Sequence, residues 1–401
     1  MSIERNLGIL GGEPVRENLL PYGKQWLDHK DIKAVVDVLK GDYLTTGPTI
    51  ELFEKEIADY VGAKYAVAFA NGTAALHGAC FSAGIEEGDE VITSPLTFAA
   101  SANCVLYQGG TPIFADINSE TYNIDPQAIR KLITEKSKAI IPVDFTGQPV
   151  DIDAIKKIAK AHNLIVIEDA AHALGAIYKG KRVGSLCDIT TFSFHPVKHI
   201  TTGEGGMAVT NNEAYYHKLK KFRNHGITRN PGELIKDSGP WHYEMHKLGY
   251  NYRITDVQAA LGVSQLGKLE SFIKKRKEYA EIYNFAFERM EEVMCPPQSP
   301  DGQSSWHLYI IRLKLDKLTV GRKEIFEAIL KENIGVNVHY IPVYYHPYYQ
   351  ELGYSKGLCP NAEKIYEEIL TLPLFPVMSM KDIEDVIHAV KKVIDYYKKR
   401  V

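Results

Sequence analysis

LIVIEDAAH, residues 164–172, is a short apolar run that breaks off into Glu168, Asp169 and His172. Farther along, TTFSFHPVK, residues 190–198, repeats the plan and ends in Lys198. Each run reads as a strand with chemistry-bearing residues just beyond its carboxyl end. Working outward, similar apolar runs stand at residues 66–69, 90–93, 111–115, 139–143 and 207–210, alternating with helix-like stretches. In residues 151–162, for example, Ile152, Ile155, Ile158, Ala159 and His162 fall on one helical face, as a crossover helix requires. The alternation predicts an α/β fold, a mostly parallel sheet wrapped by helices. Such a sheet binds ligands outside the carboxyl ends of its strands, so the polar residues after the runs carry the functional expectation.

From residue 253 to about 290 the pattern turns long and helical, and strand-like runs at 306–315 and 336–341 then mix with helices. A last helix is predicted from Ile383, Val386, Ile387, Val390, Val393, Ile394 and Tyr397, which follow the i, i+3, i+4, i+7 rule. We read this part as a smaller C-terminal α+β domain and divide the chain into residues 1–255 and 256–401. The segment 295–305 (CPPQSPDGQSS) reads as a surface connection.

Composition narrows the class. The 401 residues are 45% hydrophobic and carry a formal net charge of -3, with the two signs interspersed, which gives no reason to expect a nucleic-acid partner. Neither the segment 1–17 nor any later run has the apolar length of a signal peptide or a membrane span. Cys80, Cys104, Cys187, Cys295 and Cys359 form no CxxC pair, so no metal site is expected; free thiols in a reducing cytoplasm are.

A carboxylate at a strand end and a lysine after a later strand are a common way to hold pyridoxal 5′-phosphate. The carboxylate of Asp169 would keep the pyridine nitrogen protonated, and Lys198 would hold the aldehyde. Neither residue is specific alone; the combination is. NGTAAL, residues 71–76, follows the strand 66–69 and opens a helix. Its small residues would let backbone N–H groups and the Thr73 hydroxyl approach a phosphate, although a plain strand-to-helix turn capped by Thr73 has the same pattern. In residues 95–103 (PLTFAASAN), Phe98 could stack on a pyridine ring or simply join the core.

Together these residues resemble the sugar-nucleotide aminotransferases of fold-type I, the DegT/StrS family, over nearly the whole chain. The matching stretches are 42–48 (DYLTTGP), 71–76, 97–103, 168–175 (EDAAHALG), 192–206 (FSFHPVKHITTGEGG), 249–262 (GYNYRITDVQAALG) and 372–376 (LPLFP). The resemblance implies a fold-type I PLP-dependent transferase with Lys198 as the Schiff-base lysine, Asp169 on the pyridine nitrogen, Phe98 on one ring face and His172 beside the ring. Gly72, Thr73, Ala74 and Ser193 would hold the phosphate, reached from a second subunit by Asn251 and Arg253; a helix cap and a surface charge are the plainer reading of those two. A homodimer with shared active sites follows, with L-glutamate as amino donor and a nucleotide-linked sugar as acceptor.

Four further segments, 21–28 (PYGKQWLD), 143–150 (VDFTGQPV), 307–311 (HLYII) and 338–352 (VHYIPVYYHPYYQEL), resemble the transaminases of pseudaminic acid synthesis. That likeness implies a UDP-linked 4-keto-6-deoxy-N-acetylhexosamine as acceptor, with Tyr22, Asp42, Tyr43, Leu44, Thr45, Gly72, Ser193, Asn251, His339, Tyr340, Ile341 and Pro342 toward the substrate. Residues 338–352 hold five of the 24 tyrosines, which a core strand or an interface would also use. Two rivals remain open. A sugar dehydratase on this fold replaces the lysine with histidine, which Lys198 opposes; a non-catalytic sensor of the cofactor or sugar nucleotide would need no amino donor.

Overall fold

The computed structural model describes residues 6–399. The seven runs read as strands do form one sheet: Tyr65–Phe69 (β1), Glu90–Thr93 (β2), Thr111–Phe114 (β3), Ser137–Ile141 (β4), Ile165–Asp169 (β5), Ile189–Ser193 (β6) and Gly206–Thr210 (β7), in the order β1-β7-β6-β5-β4-β2-β3. Only β7 runs against its neighbours. Alternate side chains leave opposite faces of a strand. Val67 and Phe69 accordingly enter one apolar cluster with Ile167, Ile189 and Ala208, and Ala66 and Ala68 enter another with Phe192 and Met207.

The helix Gly72–Ala83 (α1) starts where β1 ends. The Asn71 side chain accepts from the N–H of Ala74 at 2.8 Å, and Gly84 closes the helix in the left-handed region at φ 74°. Ala74, Ala75, Leu76, Gly78 and Ala79 are all buried, because small residues let the helix lie close on the sheet; a Cβ on Gly78 would meet the Phe69 ring. The crossover helix spans Ile152–His162 and buries Ile152, Ile155, Ile158 and Ala159. His162, expected on that face, is exposed: it is the last helical residue, and Asn163 turns the chain away at φ 54°.

A second core gathers around the antiparallel strands Val293–Met294 (β8), Tyr309–Leu313 (β9) and Ile369–Leu372 (β10), with the helices Leu269–Phe287 (α2) and Met380–Tyr397 (α3). Ile383, Val386, Val390, Val393 and Ile394 supply the buried face of α3, as their spacing predicts. Leu7 and Leu20 also pack into this core, and the N–H of Gly335 donates to Leu20 O at 2.7 Å. Residues 336–341 are not a strand. They pair only at Asn337 with Thr371, the Asn337 side chain takes the N–H of Val338 at 2.8 Å, and Pro342 has no N–H to offer.

The connection 295–305 does more than cross the surface. Gly302–Gln303 pairs with Ile177–Tyr178, and Ser305 is fully buried, its hydroxyl donating to His172 O at 3.0 Å. This seam carries His307 to the carboxyl ends of β5 and β6.

Candidate active site

A cavity of about 690 Å³ opens at those strand ends. Asp169, the last residue of β5, is buried on its floor. Ser101 Oγ donates to its Oδ2 at 2.6 Å and the N–H of Ala171 to its Oδ1 at 3.1 Å, while Thr97 Oγ1 stands 2.7 Å behind Ser101. Burial pushes the Asp169 carboxyl up; the bonds from Ser101 and Ala171 and the charge of Lys198 pull it back.

Lys198 sits on the loop after β6 and turns its amine into the same cavity. Burial brings that amine down to about 8, with Asp169 acting in the opposite sense. His307 Nε2 is 3.4 Å from Lys198 Nζ. Tyr340 OH lies 3.0 Å from His172 Nε2, with the two rings stacked at 5.8 Å. Burial drives His172, His199 and His307 well below the ordinary histidine range and His339 down to about 3, so this cluster is neutral at pH 7.

The first turn of α1 forms another wall, through Gly72, Thr73 and Ala74, with Ser193 opposite. The approach is close: a Cβ on Gly206 would lie 2.7 Å from Gly72 N, and one on Gly72 would lie 3.0 Å from the Ser193 Cβ. Phe98, 62% exposed, projects over the opening, and Tyr22, His339 and Tyr340 close the far side. The donor set suits a planar aldehyde that carries a ring nitrogen and a phosphate. It offers an amine, a buried carboxylate, an aromatic face and a helix N-terminus, at which a phosphate is favoured.

Several residues singled out from sequence stand elsewhere. Ile341 and Pro342 follow Tyr340 but do not line the cavity. Asp42, Tyr43, Leu44 and Thr45 are exposed outside it, tied to the 251–256 stretch by the N–H of Asp256 donating to Leu44 O (3.0 Å) and by the bridge between Thr45 and Thr255. Asn251 is exposed and paired with Asn224. Arg253 donates to Asn224 Oδ1 at 2.6 Å and lines a separate cavity of about 200 Å³ with Lys220 and Arg223. Conversely, Ser101 backs Asp169, and Tyr107, Tyr252 and His307 line the cavity, none of them marked by the sequence patterns.

Comparison with known proteins agrees with this geometry. The DegT/DnrJ/EryC1/StrS aminotransferase family profile matches residues 25–391. The chain is 43% identical over 381 residues to the spore coat polysaccharide biosynthesis protein SpsC of Bacillus subtilis, covering 94% of this chain and 98% of that one. It is 38% identical over 384 residues to a UDP-4-amino-4,6-dideoxy-N-acetyl-beta-L-altrosamine transaminase of Campylobacter jejuni, covering 95% and 99%. Among solved structures it superposes on Helicobacter pylori PseC, an aminotransferase of pseudoaminic acid biosynthesis, with a TM-score of 0.88 at 36% identity, covering 95% and 100%. The chain therefore belongs to the DegT/DnrJ/EryC1/StrS aminotransferase family and is a pyridoxal-phosphate-dependent sugar aminotransferase.

Proposed function

We propose that the enzyme moves an amino group from L-glutamate to the 4-keto carbon of a UDP-linked 4-keto-6-deoxy-N-acetyl-L-hexosamine, in pseudaminic acid biosynthesis in the cytoplasm. The observation that carries the chemistry is the Lys198 amine and the buried Asp169 carboxylate in one cavity. The likeness to the Campylobacter and Helicobacter enzymes supports the acceptor.

When bound, the cofactor supplies an electron sink for the bond broken at the amino carbon. Asp169, oriented by Ser101 and Ala171, keeps the ring nitrogen protonated. Lys198 Nζ, brought down to about 8 by desolvation, would in its neutral form take up at Nζ the proton released from the glutamate α-carbon. Thr73, Ser193 and the first turn of α1 hold the phosphate. Tyr22, His339 and Tyr340 offer hydroxyl and imidazole groups to the sugar nucleotide. Asn251 and Arg253 reach the phosphate of a second subunit in a homodimer.

Turnover with UDP-, GDP- and dTDP-linked 4-keto-6-deoxy sugars tests the acceptor. Preference for the UDP-linked N-acetylhexosamine is expected, with Tyr22→Phe raising KM for the sugar more than for glutamate. Preference for a GDP- or dTDP-linked sugar would refute the acceptor and leave the aminotransferase standing.

A further inference from the structure

His307 stands before β9, in a segment that the rest of the reaction does not call on. Its imidazole is buried, with Nε2 3.4 Å from Lys198 Nζ and Nδ1 without a partner among the described residues. Three features set it there. Trp306, the residue before it, takes the left-handed conformation at φ 54°, which a bulky side chain keeps only where its surroundings enforce it. Arg276 of α2, itself buried, donates from one terminal nitrogen to Trp306 O (3.2 Å), His307 O (3.1 Å) and Leu374 O (2.8 Å). It makes no ion pair among the described residues. Ser305, on the other side, is anchored to His172 O.

We propose that His307 is a positioning residue for Lys198: its Nε2 accepts from the lysine Nζ and aims the amine, and the Arg276 clamp on the backbone carbonyls sets the imidazole for that task. The inference rests on the reading of Lys198 as the lysine that binds the cofactor and moves the proton. A neutral imidazole has one acceptor and one donor nitrogen, so acceptance at Nε2 assigns the proton to Nδ1. The groups facing the pair are Asp169, His172, His199, His339 and the cation of Arg276. Burial first, and then the charges of Lys198 and Arg276, oppose a charge on His307, which keeps its acceptor available. Accepting from an ammonium favours the charged lysine, so the imidazole restrains the fall that burial imposes on the Lys198 pKa.

The test uses the enzyme loaded with pyridoxamine 5′-phosphate, in which Lys198 is free. Trace labelling with acetic anhydride across a pH series, read by peptide mass spectrometry, gives the titration midpoint of Lys198 directly. The wild-type midpoint is expected below the range of an ordinary lysine. His307→Phe should lower it by about one unit, the worth of a hydrogen bond to a charged group. Reloaded with pyridoxal 5′-phosphate, the same variant should slow the glutamate half-reaction about tenfold with little change in the KM for glutamate. His307→Gln, whose amide oxygen can stand near Nε2, should restore both. If His307→Phe does not fold, His307→Asn, too short to reach Nζ, carries the same two expectations. An unchanged midpoint in a folded variant, or equal losses in the Phe and Gln variants, overturns the proposal. Borohydride reduction of the wild-type holoenzyme followed by peptide mapping tests the Lys198 reading separately: label on another lysine defeats that reading, whatever His307 does.

Discussion

At the scale of single residues, the site is a contest between burial and hydrogen bonding. Asp169 would drift toward the neutral acid without Ser101 and Ala171, and a neutral acid cannot hold a proton on a ring nitrogen. Asp169→Asn is therefore expected to slow the glutamate half-reaction by about 100-fold or more in a folded protein, measured by single-turnover absorbance. Ser101→Ala, which takes away one donor, should cost about tenfold or less by the same measurement. In the proposed mechanism the Lys198 amine works as a base only when neutral, and burial brings it down to about 8. The rate of the proton-transfer step should accordingly rise with pH and level off above about 8. A profile still rising near pH 10, the range of an ordinary lysine, would show that burial does not govern the amine. Asp169 and Lys198 were legible in the sequence because one ends an apolar run and the other follows one closely. Ser101 and His307 were not, because their roles arise from contacts that only the folded chain makes, with Asp169 and Lys198 respectively.

At the scale of elements, the β1–α1 turn depends on close approach. Gly206 of β7 lies under Asn71 and Gly72, and a Cβ there would press on Gly72 N at 2.7 Å, a backbone atom that cannot move aside cheaply. Gly206→Ala should cost about 1–3 kcal/mol of stability in denaturant titration and loosen cofactor retention on dialysis. Unchanged stability and retention would mean that the turn can shift without consequence. The sheet strands were legible because a strand buried on both faces is a nearly unbroken apolar run. Residues 336–341 misled for the same reason: an apolar, aromatic stretch satisfies the pattern, yet the Asn337 side chain takes the N–H of Val338 and Pro342 has no N–H to give. Likewise, sequence spacing does not reveal that Ser305 packs under His172, since residues 172 and 305 meet only when the two cores close on each other.

At the scale of the whole molecule, several residues singled out in the sequence stand outside the cavity of their own chain. Asp42, Tyr43, Leu44, Thr45 and Asn251 are exposed and outside the cavity; Leu44 and Thr45 are joined to Asp256 and Thr255, and Asn251 to Asn224. Tyr43 and Leu44 are 57% and 51% exposed, and the proposed homodimer would give them a covering partner. In the proposed homodimer a two-fold axis makes each subunit both host and donor, so Asn251 of one chain completes the site that holds Lys198 of the other. Mixing inactive Lys198→Ala subunits with inactive Asn251→Ala subunits tests this. Each mixed dimer then has one site with both lesions and one with neither. Random pairing makes about half the dimers mixed, so activity should return to about a quarter of wild type per site. If subunit exchange is confirmed by mass and no activity returns, Asn251 serves its own chain and the shared site is refuted.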